Sequence, residues 1–230
     1  FGKMQKGVCS RCPRAESCWN LCYHLTYQQG CELLNALENG GRDEFYCGRV
    51  EDELEKVAMI REAVGKDFDL ILEAHRGMTM PEAIAFGREV EKYRPMVFED
   101  PITPDNIDSM AEVASKIAVP IATGERFINI KEFEMLFRRN AASYVRPDVC
   151  AVGGITASKK ICAIAEANDV LVIPHNPLGP VSTAACLQIC ASVPNFGIQE
   201  LPGFCLNGAE DAMVQKPFQV EDGCLLIPDA

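Results

Sequence analysis

From residue 66 onward the chain repeats one pattern: a short apolar run, a polar residue at its end, a loop, then a stretch whose apolar positions recur at i, i+3 and i+4. The runs are "FDLILEAH", "PMVFEDP", "VPIATGER", "ASYVRPD", "VLVIPH" and "FGIQE". Their length and their share of β-branched and aromatic residues predict strands. The intervening "PEAIAFGREVEKY", "DNIDSMAEVASKI", "IKEFEMLFRR", "TASKKICAIAEAND" and "STAACLQICASV", with "EDELEKVAMIREAVG" upstream, predict helices. Several open after Pro, Asp, Asn or Ser, residues suited to the first turn. Strands alternating with helices imply an α/β fold with a parallel sheet. Two further strands fit "CELLNAL" at residues 31–37 and "SCWNLCYHL" before it, which brings the total to about eight.

The polar ends fall at Glu73, Glu99, Glu125, Asp148, His175 and Glu200, with successive spacings of 26, 26, 23, 27 and 25 residues. Units of nearly constant length are what a TIM-like closed barrel requires, and in such barrels the carboxyl ends of all strands open onto one face. A single acidic strand end is commonly a helix cap or a loop ion pair. Six converging on one rim predict a site.

Composition narrows the partners. The chain has 230 residues, 48% of them apolar, which suffices for a sizeable core. A net charge of -11 argues against a nucleic-acid backbone or an anionic membrane as partner. No apolar run is long enough to span a bilayer and no signal peptide opens the chain, so a cytoplasmic location is expected. Of twelve cysteines, Cys9, Cys12, Cys18, Cys22, Cys31 and Cys47 crowd the first fifth of the chain. Cys9 and Cys12, with Cys18, Cys22 and His24, could hold a metal cluster, but the five residues between the pairs are shorter than a zinc ribbon uses. Reduced thiols acting as small apolar side chains are the preferred reading.

The candidate chemistry follows from the strand ends. Alternation along a strand would aim Glu73 and His75 to one side. Glu73, Glu99 and Glu125, from three neighbouring strands, form a hard, oxygen-rich set suited to Mg²⁺, which would relieve their mutual repulsion. His175 ends one strand and Asp148 the strand before it, so the carboxylate can orient the imidazole and raise its basicity as a general base. A metal on one side and a histidine–aspartate pair on the other suit removal of a proton α to a carboxylate. His75, near a metal ligand, could then protonate a departing hydroxyl.

These residues resemble the enolase superfamily, in particular its mandelate-racemase-like acid-sugar dehydratases of the galactonate dehydratase type. The matching segments are "LEAHRG", "FEDP", "ATGER", "RPDVCAVGGIT", "PHNPLGPVSTAACLQ" and "FGIQE", spanning about residues 50–201. The resemblance implies a (β/α)7β barrel, Mg²⁺ on Glu73, Glu99 and Glu125, and His175 with Asp148 as base. It also implies Glu200 as partner of the substrate oxyanion and His75 as acid for the leaving 3-hydroxyl. The expected activity is conversion of a small-molecule acid sugar into a 2-keto-3-deoxy acid, by a protein that associates into homo-oligomers.

Departures from the family pattern are specific. Glu73 stands where Asp is usual, Asp100 where a second Glu is common, and Asn35 where a lysine base is expected, with Tyr46 as a weak substitute. The organisation expected is a poorly matching Cys-rich start over residues 1–50, a barrel core carrying the rim over 51–201, and a terminal segment over 202–230. The family's N-terminal capping domain is absent from this reading, so the chain is either part of a larger protein or a diverged barrel. A racemase or epimerase and a non-catalytic remnant barrel are the alternatives. Arg76, Arg126 and Arg146 flank the rim, either to meet substrate oxygens or to form loop ion pairs.

Overall fold

The computed structural model describes residues 22–23, 50–201, 214–221 and 224–227. Two compact units divide the chain, Phe1–Ile121 and Ala122–Ala230. In each, the strands follow one another in chain order.

The first unit holds β1 (Cys22–Tyr23), α1 (Val50–Val64), β2 (Ile71–Glu73), α2 (Met80–Val90), a 3-10 turn (Glu91–Tyr93), β3 (Val97–Glu99) and α3 (Ile107–Lys116). Strands β2 and β3 pair in parallel, Ile71 beside Val97, Leu72 beside Phe98 and Glu73 beside Glu99. The ladder runs past the strand ends, since Ala74 N–H donates to the Glu99 carbonyl at 3.0 Å and Phe98 N–H to that of Pro120 at 2.8 Å. Val97, Phe98 and Glu99 are all fully buried, as an interior strand of a helix-covered parallel sheet should be. The helices begin where local chemistry provides caps: Glu82 accepts from both the N–H and the hydroxyl of Thr79, and Asn106 accepts from Ser109 N–H. Their buried faces bring Phe86 against Phe98, ring centroids 5.3 Å apart. Gly87 permits the approach of Ile117, because a Cβ there would lie 2.8 Å from its side chain.

The second unit holds β4 (Ile121–Thr123, whose first residue closes the first unit), α4 (Ile130–Arg138), β5 (Tyr144–Val145), α5 (Ile155–Glu166), β6 (Leu171–Val172), α6 (Pro180–Cys190) and a hairpin of β7 (Val220–Glu221) and β8 (Cys224–Leu225). Strands β4 and β5 are parallel, as are β5 and β6, and the β5–β6 alignment continues to a bridge between Asp148 and His175. Asn129 caps α4, with Glu132 accepting from the Asn129 N–H at 2.9 Å. Phe133, Leu136, Ile161, Ile173 and Ile189 fill the core.

Two predicted strands differ from expectation. Of "SCWNLCYHL" the described residues are Cys22–Tyr23, which pair antiparallel with β2, Cys22 opposite Glu73. A free sheet edge accepts a strand in either direction, and an apolar run encodes no direction. "FGIQE" reduces to one bridge, Phe196 beside Val172. Phe196 and Ile198 are 37% and 47% exposed, so burial does little to reward a longer strand there. "CELLNAL", Asn35, Tyr46, His24 and the other cysteines of the first fifth lie outside the described residues. Among the described residues, no helix is long and apolar enough to cross a membrane.

Candidate functional site

The parallel register of the first unit sets two carboxylates side by side, because Glu73 and Glu99 are directly paired and both are buried. Burial raises the Glu73 pKa well above the usual carboxylate range, and the neighbouring charges of Glu99 and Asp100 raise it further. The hydrogen bond that protonated Glu73 gives to Glu99 acts in the same direction, and the His75 N–H opposes them. Two such groups must share a proton or a cation, since both cannot ionise in so dry a place unaided.

Strand alternation does not bring His75 to Glu73, contrary to expectation. The strand ends at Glu73, and His75 and Arg76 both take left-handed backbone conformations, φ 47° and 65°. The turn lets His75 N–H donate to Glu73 Oε1 at 2.6 Å and leaves His75 Nδ1 3.9 Å from the same oxygen. Asp100, just past β3, is also left-handed, with φ 41°. Such strain in non-glycine residues persists only where surrounding contacts enforce it. Here Arg76 supplies them, its N–H donating to the Asp100 carbonyl at 2.7 Å and its Nη1 to Asp100 Oδ2 at 2.6 Å.

In the second unit Gly124 turns the chain after β4 at φ 128°, and a Cβ there would lie 2.9 Å from the Phe133 ring. That turn places Glu125 beside His175, with Glu125 Oε2 3.2 Å from Nε2. On the other side of the ring, Asp148 Oδ2 lies 2.9 Å from Nδ1. Asp148 Oδ1 accepts from the N–H groups of Cys150 and Ala151, so the carboxylate is fixed by backbone as well. Burial alone would raise the Asp148 pKa, but the bonds from His175, Ala151 and Cys150 outweigh it and lower it. Burial likewise disfavours charged His175, yet the Asp148 bond and the charges of Glu125 and Glu200 prevail over it and over Arg146, and the imidazole pKa is raised.

Glu200 completes this cluster. Its Oε2 accepts from Arg146 Nη2 at 2.5 Å and from Asn176 N–H at 2.7 Å. Arg76 and Arg146 are therefore engaged in ion pairs, with buried Asp100 and partly buried Glu200, whereas Arg126 is exposed. Asn176, fully buried next to the imidazole-bearing residue, was not singled out from the sequence. An Asn between Pro residues in "PHNPLGP" reads as turn chemistry, and its partners are remote in the chain.

Thus His75, Glu73 and Glu99 form one cluster of the first unit. Glu125, Asp148, His175 and Glu200 form one of the second. Of the three acidic residues expected to hold a metal ion, Glu73 and Glu99 lie in the first cluster and Glu125 in the second.

A family model described as enolase C-terminal domain-like matches residues 35–230. Among solved structures, a candidate dehydratase from Salmonella enterica serovar Typhimurium is 36% identical, with TM-score 0.73 over 76% of this chain and 43% of that one. A mandelate racemase/muconate lactonizing enzyme-like protein from Roseovarius sp. TM1035 is 35% identical, with TM-score 0.73 over 79% of this chain and 45% of that one. A racemase from Streptomyces coelicolor A3(2), solved with bound magnesium, is 27% identical, with TM-score 0.71 over 79% of this chain and 47% of that one. The chain spans less than half the length of each of these structures.

Proposed function

Since this chain belongs to the enolase superfamily, within its mandelate-racemase-like group, we propose that the whole protein is a Mg²⁺-dependent acid-sugar dehydratase of the galactonate dehydratase type. The reaction removes the proton α to the substrate carboxylate and expels the 3-hydroxyl, leaving a 2-keto-3-deoxy acid. The observation that carries this reading is the bracketed imidazole of His175, with Asp148 at Nδ1 and Glu125 at Nε2.

Glu73, Glu99 and Glu125 would hold the metal, and their chemistry fits: all-oxygen donors of formal charge suit Mg²⁺, and a cation would offset both the burial and the repulsion by Glu99 and Asp100 that raise the Glu73 pKa. When bound, the ion supplies positive charge that stabilises the substrate carboxylate as its α-carbon loses a proton. His175 takes that proton at Nε2, while Asp148 holds Nδ1 and stabilises the imidazolium formed. His75 delivers a proton to the departing 3-hydroxyl. Glu200, held by Arg146 and Asn176, faces the substrate's developing oxyanion. The partner is a small acid sugar, and the working form is a homo-oligomer.

A racemase or epimerase is the second reading, favoured by the relative named a racemase. Incubating the complete protein with a panel of acid sugars, Mg²⁺ and D₂O separates the two. Release of a 2-keto acid supports dehydration. Deuterium at the α-carbon with both hydroxyls retained supports racemisation, and neither outcome with any acid sugar sinks the proposal.

A further inference from the structure

Beside His175, among the described residues of the second unit, Asn176 is a buried polar side chain to which the reaction above assigns no chemical step. Asn176 is 0% exposed, and it bonds both to α6 and to the segment that carries Glu200. Its Nδ2 donates to Thr183 Oγ1, in the first turn of α6, at 2.9 Å and to the Glu200 carbonyl at 3.1 Å. Its backbone N–H donates to Glu200 Oε2 at 2.7 Å. Thr183 donates in turn to the Gly179 carbonyl at 3.3 Å, so its oxygen is oriented to accept from Asn176.

We propose that Asn176 is a positioning residue that fixes Glu200 relative to His175, clamping the Glu200 main chain with its amide and the Glu200 carboxylate with its N–H. The segment carrying Glu200 needs such a clamp, because it is not in a strand: past the bridge at Phe196 and the Gly197 N–H bond to Val172, no regular ladder supports it. Arg146 secures the carboxylate, and Gln199 Nε2 holds the Glu200 carbonyl from within the segment at 2.6 Å. Asn176 adds a main-chain contact from outside the segment and, through Thr183, ties it to a helix. Because residues 175 and 176 are adjacent, a shift of one carries the other, and the base and Glu200 are held as one body.

This inference rests on the dehydratase reading for its catalytic consequence but not for its structural one. Asn176→Ala in the complete protein is expected to raise amide exchange at residue 176 and over residues 198–201. On an acid sugar that turns over, it should lower kcat by about tenfold to a hundredfold through misplacement of Glu200, with KM little changed. Asn176→Asp, which sets a carboxylate against the Glu200 carbonyl, should lower it further. Thr183→Val removes the acceptor while leaving Asn176 in place, and it should reproduce the faster exchange at residue 176. It also keeps the test open should the Asn176 variants fail to fold. Val181→Ser, on the same helix at a side chain 76% exposed, should change neither readout. Unchanged exchange in both Asn176→Ala and Thr183→Val overturns the proposal, as does faster exchange with unaltered kcat. If the unmodified protein turns over no acid sugar, the dehydratase reading fails while the exchange comparison still decides whether Asn176 holds Glu200.

Discussion

Asp148 and His175 are joined twice: their backbones form a parallel bridge, and their side chains meet at 2.9 Å between Oδ2 and Nδ1. The double link sets the imidazole's direction through the sheet itself, so the ring does not depend on a mobile loop for its orientation. It also occupies Nδ1 with the Asp148 bond, so in the proposed reaction Nε2 is the nitrogen that would take the proton.

Replacing His175 by Asn removes that nitrogen and keeps a polar side chain. Turnover of the reactive acid sugar should fall by about two to four orders of magnitude. Steady-state kinetics on the complete protein, with folding checked by circular dichroism, measures it, and undiminished turnover means another group is the base.

The pair also predicts a pH window. Burial works against the charged forms, but the hydrogen bonds lower Asp148 and raise His175. The Asp148 contribution to stability is present above its unfolded pKa and is lost as pH falls through its depressed folded value. The His175 contribution is present below its unfolded pKa and is lost as pH rises through its raised folded value. The Tm difference between the unmodified protein and Asp148→Asn should therefore be widest at about pH 4 to 6.5 and narrow on both sides. A difference that keeps growing toward pH 9 would show that the ion pair is not its source.

Mg²⁺ should raise Tm, because an ion that binds only the folded state at about 100 times its Kd adds about 2.7 kcal/mol. Glu99→Gln keeps the shape of a side chain that is 0% exposed and removes its charge. The Mg²⁺-dependent rise should shrink to a small fraction in that variant, as read by differential scanning fluorimetry with and without chelator. A rise of the original size in Glu99→Gln would exclude Glu99 as a ligand.

Arg61 staples the first unit by donating to four carbonyls: Tyr93 at 2.9 Å, Gly65 at 2.8 Å, Phe68 at 2.6 Å and Arg94 at 3.2 Å. These come from the end of α1, the lead into β2 and the turn after α2. Lys cannot reproduce that planar fork. Arg61→Lys should cost about 2 kcal/mol of stability in urea unfolding, given the strength of hydrogen bonds to charged donors. A loss under about 0.5 kcal/mol, the level of an ordinary surface change, would refute the staple.

Burial raises the thiol pKa of Cys162 to about 11 and of Cys186 and Cys190 to about 12, whereas Cys150 and Cys224 are exposed. Thiolate is the reactive form. Brief alkylation at pH 8, followed by peptide mapping, should label Cys150 and Cys224 at least tenfold faster than Cys162 and Cys186. Denaturant should abolish the difference, and equal labelling of the folded protein would contradict the buried placement.

Much of the fold was legible because its signals are local. The helix "IKEFEMLFRR" runs Ile130–Arg138, as its cap Asn129 and its apolar spacing indicate. "PEAIAFGREVEKY" becomes α2 and a terminal 3-10 turn, one residue early at Met80. Even some non-local pairing was readable. The 26 residues from Glu73 to Glu99 and the 27 from Asp148 to His175 equal the ladder offsets of β2–β3 and β5–β6, because matched βα units turn spacing into register.

The order of elements and the neighbouring of Glu73 with Glu99 and of Asp148 with His175 were thus settled by the chain itself, through periodicity, caps and unit length. Only the tertiary structure decided that His75 reaches Glu73 through a left-handed turn, that Arg76 and Arg146 are consumed by Asp100 and Glu200, and that Asn176 clamps the segment of Glu200. Apart from the local turn at His75, those outcomes depend on which polar group meets which across 24 to 54 residues. Hydrophobic pattern carries no information about such pairings, because they are selected by the desolvation cost of leaving a buried carboxylate or amide without its partner.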